Sequence, residues 1–235
     1  MSRLHLRRNG PVMRLILLGS PGSGKGTQAK LLSDRLGLVH FGTGDILREA
    51  MRKGLPAGKL AEPYVNQGKL VPDALVNEMV NSRFHSDDRP QCFVMDGYPR
   101  TLAQAESFDE VLHQYGLDLD AVLFVQVDDE SIVRRLGGRW SCPRCKATYH
   151  KINCPPRSEG MCDNHPDKPT ALIQRTDDRE DTVRERLRHY HANTVDLIPY
   201  YRNKGLLREV NGDRDVEQVY DQIVQAVSGG ANAKC

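Results

Sequence analysis

The sequence contains no apolar run that approaches the ~20 residues of a membrane-spanning helix. The apolar segment at residues 15–18 stops at Gly19, and it is too short for the hydrophobic region of a secretory signal. Residues 3–8 are basic, so a targeting signal remains a minor alternative to a disordered N-terminal extension at residues 1–12. We therefore expect a cytoplasmic protein without a membrane partner.

A strong excess of one charge is also lacking, because 33 Lys and Arg residues face 31 Asp and Glu residues. A protein that binds nucleic acid mainly through phosphate contacts is usually more basic. The composition therefore argues against nucleic acid as a partner. Any site for anions must come from local clusters of arginine and lysine.

Cysteine is scarce, with six residues in a chain of 235, which is not the density of a disulfide scaffold. Four of the six lie between Cys142 and Cys162. Clustering of this kind in a cytosolic chain favours a metal site over disulfides. The surrounding stretch, residues 140–174, holds the single Trp and shows little helical periodicity. A long irregular segment of this kind is typical of a lid or of a segment with its own crosslink.

Short apolar runs alternate with helical patterns along the rest of the chain. Strands are predicted at residues 14–18, 93–95, 121–127 and 207–210, and helices at 25–36, 101–115 and 216–227. This alternation predicts an α/β fold, in which helices flank both faces of a parallel sheet. The tail, residues 228–235, is expected to be disordered.

A glycine-rich loop, Gly19-Ser-Pro-Gly-Ser-Gly-Lys-Gly-Thr27, separates the first strand from the first helix. Glycines let successive backbone N–H groups surround a phosphate, and the helix N-terminus adds positive potential. Lys25 is placed to reach the β- and γ-phosphates of a nucleotide. Gly26 stands where Ser or Thr normally follows the lysine, which argues against a GTPase.

This form of the loop resembles that of the adenylate kinases. Four further segments are similar to the same family and occur in the same order, from about Arg14 to Val227. They are Gly42-Thr-Gly-Asp-Ile-Leu-Arg48, Gly68-Lys-Leu-Val-Pro72, Asp96-Gly-Tyr-Pro-Arg100 with Gln104, and Arg175-x-Asp-Asp178 with Arg186.

The resemblance implies one domain, residues 13–227, with a P-loop core, an AMP-binding helical insertion near residues 42–71 and a zinc-bearing lid near residues 138–175. It also implies Mg²⁺-dependent transfer of a phosphoryl group, ATP + AMP = 2 ADP, by a monomer. The implied catalytic residues are Lys25, Asp96, Arg100, Arg135, Arg139, Arg175 and Arg186. The implied ATP site comprises Gly22, Ser23, Gly24, Lys25, Gly26, Thr27, Arg139, Thr148, Tyr149 and Arg214. The implied AMP site comprises Thr43, Arg48, Lys69, Leu70, Val71, Gly97, Tyr98, Pro99, Arg100, Gln104, Arg175 and Arg186.

The chemistry of phosphoryl transfer calls for the same residue types. Two nucleotides bring their phosphates together, and guanidinium forks match phosphate oxygens better than ammonium groups do. No general base is evident, and positioning can supply most of the catalysis. Asp96, at the end of a strand, is expected to hold Mg²⁺ through water, and Asp177 and Asp178 to support arginines. By resemblance alone, Tyr98-Pro99 is a candidate for a cis peptide bond.

Two pairs of metal-ligand residues, Cys142 with Cys145 and Cys162 with His165, have the spacing of a structural Cys₃His zinc site. Four protein ligands leave no open position, so the zinc would stabilise the lid rather than take part in catalysis. Cys154 and His150 are alternative ligands, although His150 is better placed to pack against the ATP base. A redox Cys-x-x-Cys and a metal-free lid are alternatives for the whole cluster.

Two other functions remain open on the sequence. A UMP or CMP kinase would share the fold, but the long lid, Thr43 and Gln104 favour adenine nucleotides. A zinc-ribbon module that binds nucleic acid would use the same four ligands, but it leaves the glycine-rich loop unexplained.

Overall fold

The computed structural model describes residues 13–228, so the predicted N-terminal extension at 1–12 and the tail from residue 229 lie outside the described residues. Its main sheet has five parallel strands in the order β2-β3-β1-β4-β7. The strands are β1 (Arg14–Leu18), β2 (Val39–Gly42), β3 (Phe93–Asp96), β4 (Ala121–Gln126) and β7 (Leu207–Asn211). Two short strands, β5 (Arg139–Ser141) and β6 (Thr148–His150), form a separate antiparallel pair.

Helices cover both faces of the main sheet, as the sequence predicts. They are α1 (Lys25–Leu36), α2 (Thr43–Arg52), α3 (Pro56–Asn66), α4 (Asp73–His85), α5 (Leu102–Gln114), α6 (Asp129–Gly137), α7 (Glu180–His189), α8 (Leu197–Asn203) and α9 (Val216–Ser228). None of the helices in residues 13–228 combines the length and the apolar character needed to cross a membrane.

The side chains of β1 alternate between two hydrophobic cores, which explains why the strand is apolar throughout. Ile16 and Leu18 join the core formed with α4, α5 and α8. Leu15 and Leu17 join the core formed with α1 and α9. All four side chains are at most 2% exposed.

The parallel register brings the carboxyl ends of the strands to one edge of the sheet. Leu17 of β1 lies opposite Asp96 of β3, and Gly42 of β2 lies opposite the same residue. The loops that follow these strands therefore meet at this edge, which is where ligands bind in open α/β sheets.

Two segments stand apart from the sheet. Helices α2 and α3 follow β2, and residues 139–175 contain the β5–β6 pair. The second segment has a small core of its own, composed of Cys142, Tyr149, Cys162 and Leu172 with Trp140 against them.

Candidate active site

The glycine-rich loop connects β1 to α1 and curls around the side chain of Lys25. The Lys25 ammonium donates hydrogen bonds to the carbonyl oxygens of Gly19 (2.8 Å) and Ser20 (2.6 Å). Gly22 has a φ of 85°, and a Cβ there would lie 2.7 Å from Leu136 Cγ. A side chain at this position would therefore be strained and would clash, so the loop requires glycine.

The surroundings of Lys25 lower its pKa to about 8. Burial has the largest effect, and the positive charges of Arg100, Arg186 and Arg139 act in the same direction, whereas Asp96 raises the pKa. A lysine that is desolvated and surrounded by arginines is poised to bind an anion, because an anion relieves the repulsion.

A cleft of about 820 Å³ opens at this edge of the sheet, a volume typical of small-molecule sites. It runs between the glycine-rich loop, β3 and the β5–β6 segment. All seven residues predicted to be catalytic line it: Lys25, Asp96, Arg100, Arg135, Arg139, Arg175 and Arg186. The predicted ATP-site residues Gly22, Gly24, Gly26, Thr27 and Thr148 also line it.

Two buried carboxylates hold three of the cleft arginines. Asp178 accepts two hydrogen bonds from Arg139, and Asp177 lies 3.2 Å from Arg186 and 3.6 Å from Arg48. Burial raises the pKa of Asp177, but the surrounding arginines outweigh that effect and lower it overall. Burial and neighbouring arginines lower the pKa of Arg186 to about 10, so this group stays protonated at neutral pH.

A second cavity adjoins the cleft, between α2, the turn after α3 and the end of β3. Thr43 Oγ1 donates to Gly97 O (2.8 Å), and Gln104 Oε1 accepts from the Arg100 N–H (2.8 Å). Gly97 has a φ of 79°, and a Cβ there would lie 3.0 Å from Thr43 Oγ1. Nine residues predicted to bind AMP line this cavity: Thr43, Arg48, Lys69, Leu70, Val71, Gly97, Arg100, Gln104 and Arg186.

The ligand atoms of Cys142, Cys145, Cys162 and His165 lie within 4.8 Å of one another. The buried His165 Nε2 has no hydrogen-bond partner among the described residues, as expected for a nitrogen that binds a metal. Three sulfurs and one imidazole form a donor set suited to zinc. Cys154 and His150 are not part of this cluster.

Comparison with known proteins identifies the family. The family model described as "Adenylate kinase" matches residues 17–206. The chain belongs to the adenylate kinase family. It is 46% identical over 215 residues to the adenylate kinase of Caldicellulosiruptor saccharolyticus, covering 92% of this chain and 99% of that protein. The adenylate kinase of Archaeoglobus fulgidus is 47% identical over 211 residues, and the alignment covers 90% of this chain and 96% of that protein. The adenylate kinase of Symbiobacterium thermophilum is 48% identical over 215 residues, and the alignment covers 92% of this chain and 98% of that protein.

Three residues that the family resemblance assigned to the ATP site do not line the cleft. Tyr149 is buried in the core of segment 139–175, and its hydroxyl lies 3.5 Å from Cys162 Sγ. Arg214 is exposed in the turn before α9, and Ser23 lies within the glycine-rich loop but is only 2% exposed. His150 does not line the cleft either, because its Nδ1 accepts hydrogen bonds from the N–H groups of Ile152 and Asn153.

The remaining three residues predicted to bind AMP, Tyr98, Pro99 and Arg175, do not line the second cavity. Pro99 and Arg175 line the main cleft instead. Tyr98 is 1% exposed, and its hydroxyl donates to Asn77 Oδ1 (2.9 Å), so it supports the site from behind. The Tyr98-Pro99 peptide bond is cis, as the family resemblance implied.

Three polar residues of the site were not assigned a role from the sequence. His40 Nε2 lies 3.8 Å from Asp96 Oδ2, Asp45 pairs with Arg48 (2.7 Å), and Asp73 accepts from Gln104 Nε2 (2.6 Å). His40 lies on β2, a strand that is not evident from the hydrophobic pattern of the sequence. Asp45 lies in the first turn of α2, within the predicted segment at residues 42–48, and Asp73 begins α4 directly after the predicted segment at residues 68–72. Those positions are the signal by which the sequence could have indicated them.

Proposed function

We propose that the protein is a nucleoside monophosphate kinase that catalyses the reversible reaction ATP + AMP = 2 ADP. Membership of the adenylate kinase family supports this function. The observation that carries it is the convergence of Lys25 and six arginines on one cleft, with a second cavity beside it. Such a concentration of positive charge suits the meeting of two sets of phosphates.

The glycine-rich loop is proposed to hold the phosphates of ATP. Its backbone N–H groups and the N-terminus of α1 provide donors and positive potential, and Lys25 adds a full charge. Arg139 and Thr148 line the same cleft on the far side, where they would contact the nucleotide. Arg135, Arg175 and Arg186 would offset the charge that spreads over the oxygens of the moving phosphoryl group.

The second cavity is proposed to hold AMP. Arg48 and Arg100 line both this cavity and the main cleft, which is the position needed to bind the α-phosphate. Gln104 and Thr43 offer polar atoms for the adenine base, and Leu70 and Val71 offer backbone and apolar contacts. Gln104 is 2% exposed, so its orientation is fixed before the ligand arrives.

Two metal ions fit the residues that are present. Asp96 is partly buried at the end of β3 beside Lys25, and its side chain would hold Mg²⁺ through water, with the ion neutralising phosphate charge. Burial raises the pKa of Asp96, but His40 and Lys25 lower it overall and keep the carboxylate ionised. The Cys₃His cluster would hold a structural zinc ion.

We further propose that residues 138–175 act as a lid and residues 42–71 as the AMP-binding insertion. Closure of both over the nucleotides would exclude water that otherwise hydrolyses ATP. We propose a cytoplasmic monomer that uses ATP, AMP and ADP and binds neither nucleic acid nor membranes.

A coupled assay of ADP formation tests the function. Purified protein is supplied with MgATP and with AMP, CMP, UMP or GMP as acceptor. We expect turnover with AMP to exceed turnover with the other acceptors by at least about tenfold, because buried hydrogen-bonding groups reject the wrong base. Preferred use of CMP or UMP would instead establish the pyrimidine kinase, and tight binding of an oligonucleotide without turnover would refute the kinase.

A further inference from the structure

The chain segment after α7 departs from α-helical geometry. Residues Tyr190–Thr194 form a π-helix, and the Val195 N–H donates to the Tyr190 carbonyl at 3.2 Å. Pro199 has no N–H to offer to the carbonyl of Val195, which accepts from Ile198 instead (2.9 Å). π-helical turns are rare and occur frequently at functional sites.

This turn presents Thr194 to the cleft. The Thr194 side chain is 5% exposed, and Tyr190 and Thr194 both belong to the cleft wall. Thr194 Oγ1 donates a hydrogen bond to the main-chain carbonyl of Arg100 at 2.9 Å. The two residues are 94 positions apart in the sequence, so the contact joins separate parts of the chain.

Arg100 lies in the loop between β3 and α5, where no strand or helix fixes its main chain. Side chains do so instead. Gln104 Oε1 accepts from the Arg100 N–H at 2.8 Å, while Thr194 donates to its carbonyl. The Arg100 guanidinium Nε also donates to Gly97 O at 2.8 Å, so the direction of the side chain depends on the direction of this loop.

We propose that Thr194 is a positioning residue for Arg100, and that its hydroxyl aims the Arg100 guanidinium at the phosphate of the nucleoside monophosphate. The proposal rests on the proposed function, because it assumes that Arg100 binds that phosphate. In this proposal the Thr194 hydroxyl is engaged with the Arg100 carbonyl and does not bind the nucleotide. It acts through the main chain of Arg100.

Loss of the hydroxyl leaves a partly buried carbonyl without this donor and frees one end of the Arg100 backbone. A hydrogen bond of this kind changes an equilibrium by about three- to tenfold. Because Arg100 borders the AMP cavity, the loss should weaken AMP binding selectively. If Thr194 only stabilised the fold, its substitution would lower thermal stability and weaken the binding of AMP and of ATP alike.

The test compares Thr194→Val, which keeps the shape of the side chain, with Thr194→Ser, which keeps the hydroxyl. Asn193→Ala is the matched control, since Asn193 lies in the same turn and donates to the carbonyl of His189 (3.0 Å) rather than to Arg100. The measurements are KM for AMP and for ATP, AMP affinity by calorimetric titration, and melting temperature. For Thr194→Val we expect KM and Kd for AMP to rise about three- to tenfold with KM for ATP unchanged. Thr194→Ser and Asn193→Ala should resemble the unmodified protein.

Unchanged AMP affinity in Thr194→Val would overturn the proposal, and so would an equal loss for both nucleotides. Should Thr194→Val fail to fold, Thr194→Ala removes the same donor without a new methyl group beside the carbonyl and is expected to show the same selective loss. The calorimetric titration needs no turnover. An unmodified protein that binds AMP but forms no ADP would therefore refute the kinase function and still test Thr194.

Discussion

The guanidinium of Arg139 and the carboxylate of Asp178 form a two-point ion pair, with 2.7 Å between Arg139 Nε and Asp178 Oδ2. The Asp178 side chain is completely buried, whereas Arg139 is 19% exposed toward the cleft. The same carboxylate lies 3.5 Å from Arg186 Nη1. One buried group therefore fixes the orientation of two arginines that the proposed reaction needs, without itself reaching the substrate.

Asp178→Asn is expected to damage both stability and turnover. Removing one partner of a buried ion pair leaves a charge uncompensated, so we expect the free energy of unfolding to fall by about 3–5 kcal/mol. Turnover should fall about 10- to 100-fold, because two arginines lose their orientation. Chemical denaturation and the coupled assay measure the two effects.

The matched control for Asp178→Asn is Asp129→Asn. Asp129 pairs with His191 at 2.9 Å, but both side chains are about half exposed, at 49% and 53%. Exposed ion pairs contribute about 0–1 kcal/mol, so stability and turnover should stay close to those of the unmodified protein. Equal effects of the two substitutions would contradict the role given to Asp178.

Lys25→Met should abolish most of the activity and leave the fold intact. Removing a preorganised charge at the transferring group lowers kcat by about 10²–10³-fold. The folded protein holds Lys25 half-buried among other positive charges, so an apolar side chain of similar length relieves repulsion while it loses the hydrogen bonds to Gly19 and Ser20, and the melting temperature should change little. Lys59→Met, on the exposed side of α3, is the control and should keep full activity. Near-normal turnover of Lys25→Met would contradict the assignment of the phosphate site.

ATP affinity should decrease as the pH rises above about 8. The pKa of Lys25 in the free protein is about 8, and a bound triphosphate raises that pKa because it favours the charged form. The protonated lysine thus binds ATP better than the neutral lysine does. The affinity for ATP is therefore highest at a pH below the pKa of Lys25 in the ATP-free protein, and it falls as the pH rises above that value. Calorimetric titrations at about pH 7.5 and about pH 9.5 should show roughly a tenfold loss. Lys25→Met should lose this dependence, and an equal dependence in both proteins would exclude Lys25 as its source.

Much of the fold follows from local patterns in the sequence. The apolar runs at residues 14–18, 93–95 and 121–127 form parallel strands, because side chains buried on both faces leave no room for polar residues. The edge strand β2 was missed since it has four residues and only Phe41 of them is buried. Its pairing with β3 comes from the tertiary structure, and with it the approach of His40 to Asp96.

Motifs in the sequence predicted which residues the structure brings together around the cleft, but they could not predict which side chains tertiary packing buries. Lys25 and the cleft arginines lie where the motifs indicate. Tyr149 does not, because its ring fills the small core beside Cys162, and a motif cannot show which face of a two-stranded hairpin is buried. Thr194 carries no sequence signal, since its role depends on a π-helical turn and on a partner in a distant loop.

The zinc hypothesis predicts different behaviour for two cysteines of the same segment. Cys142 is buried in the four-residue cluster, whereas Cys154 is exposed and lies outside it. Cys142→Ser should lose the bound metal and lower the melting temperature, because segment 139–175 has only a small core of its own. Turnover at low temperature should fall much less, since four protein ligands would leave the zinc no open coordination position for substrate. Cys154→Ser should keep one zinc per chain by elemental analysis and an unchanged melting temperature. Metal loss in Cys154→Ser would make Cys154 a ligand, and unmodified protein without zinc would refute the site.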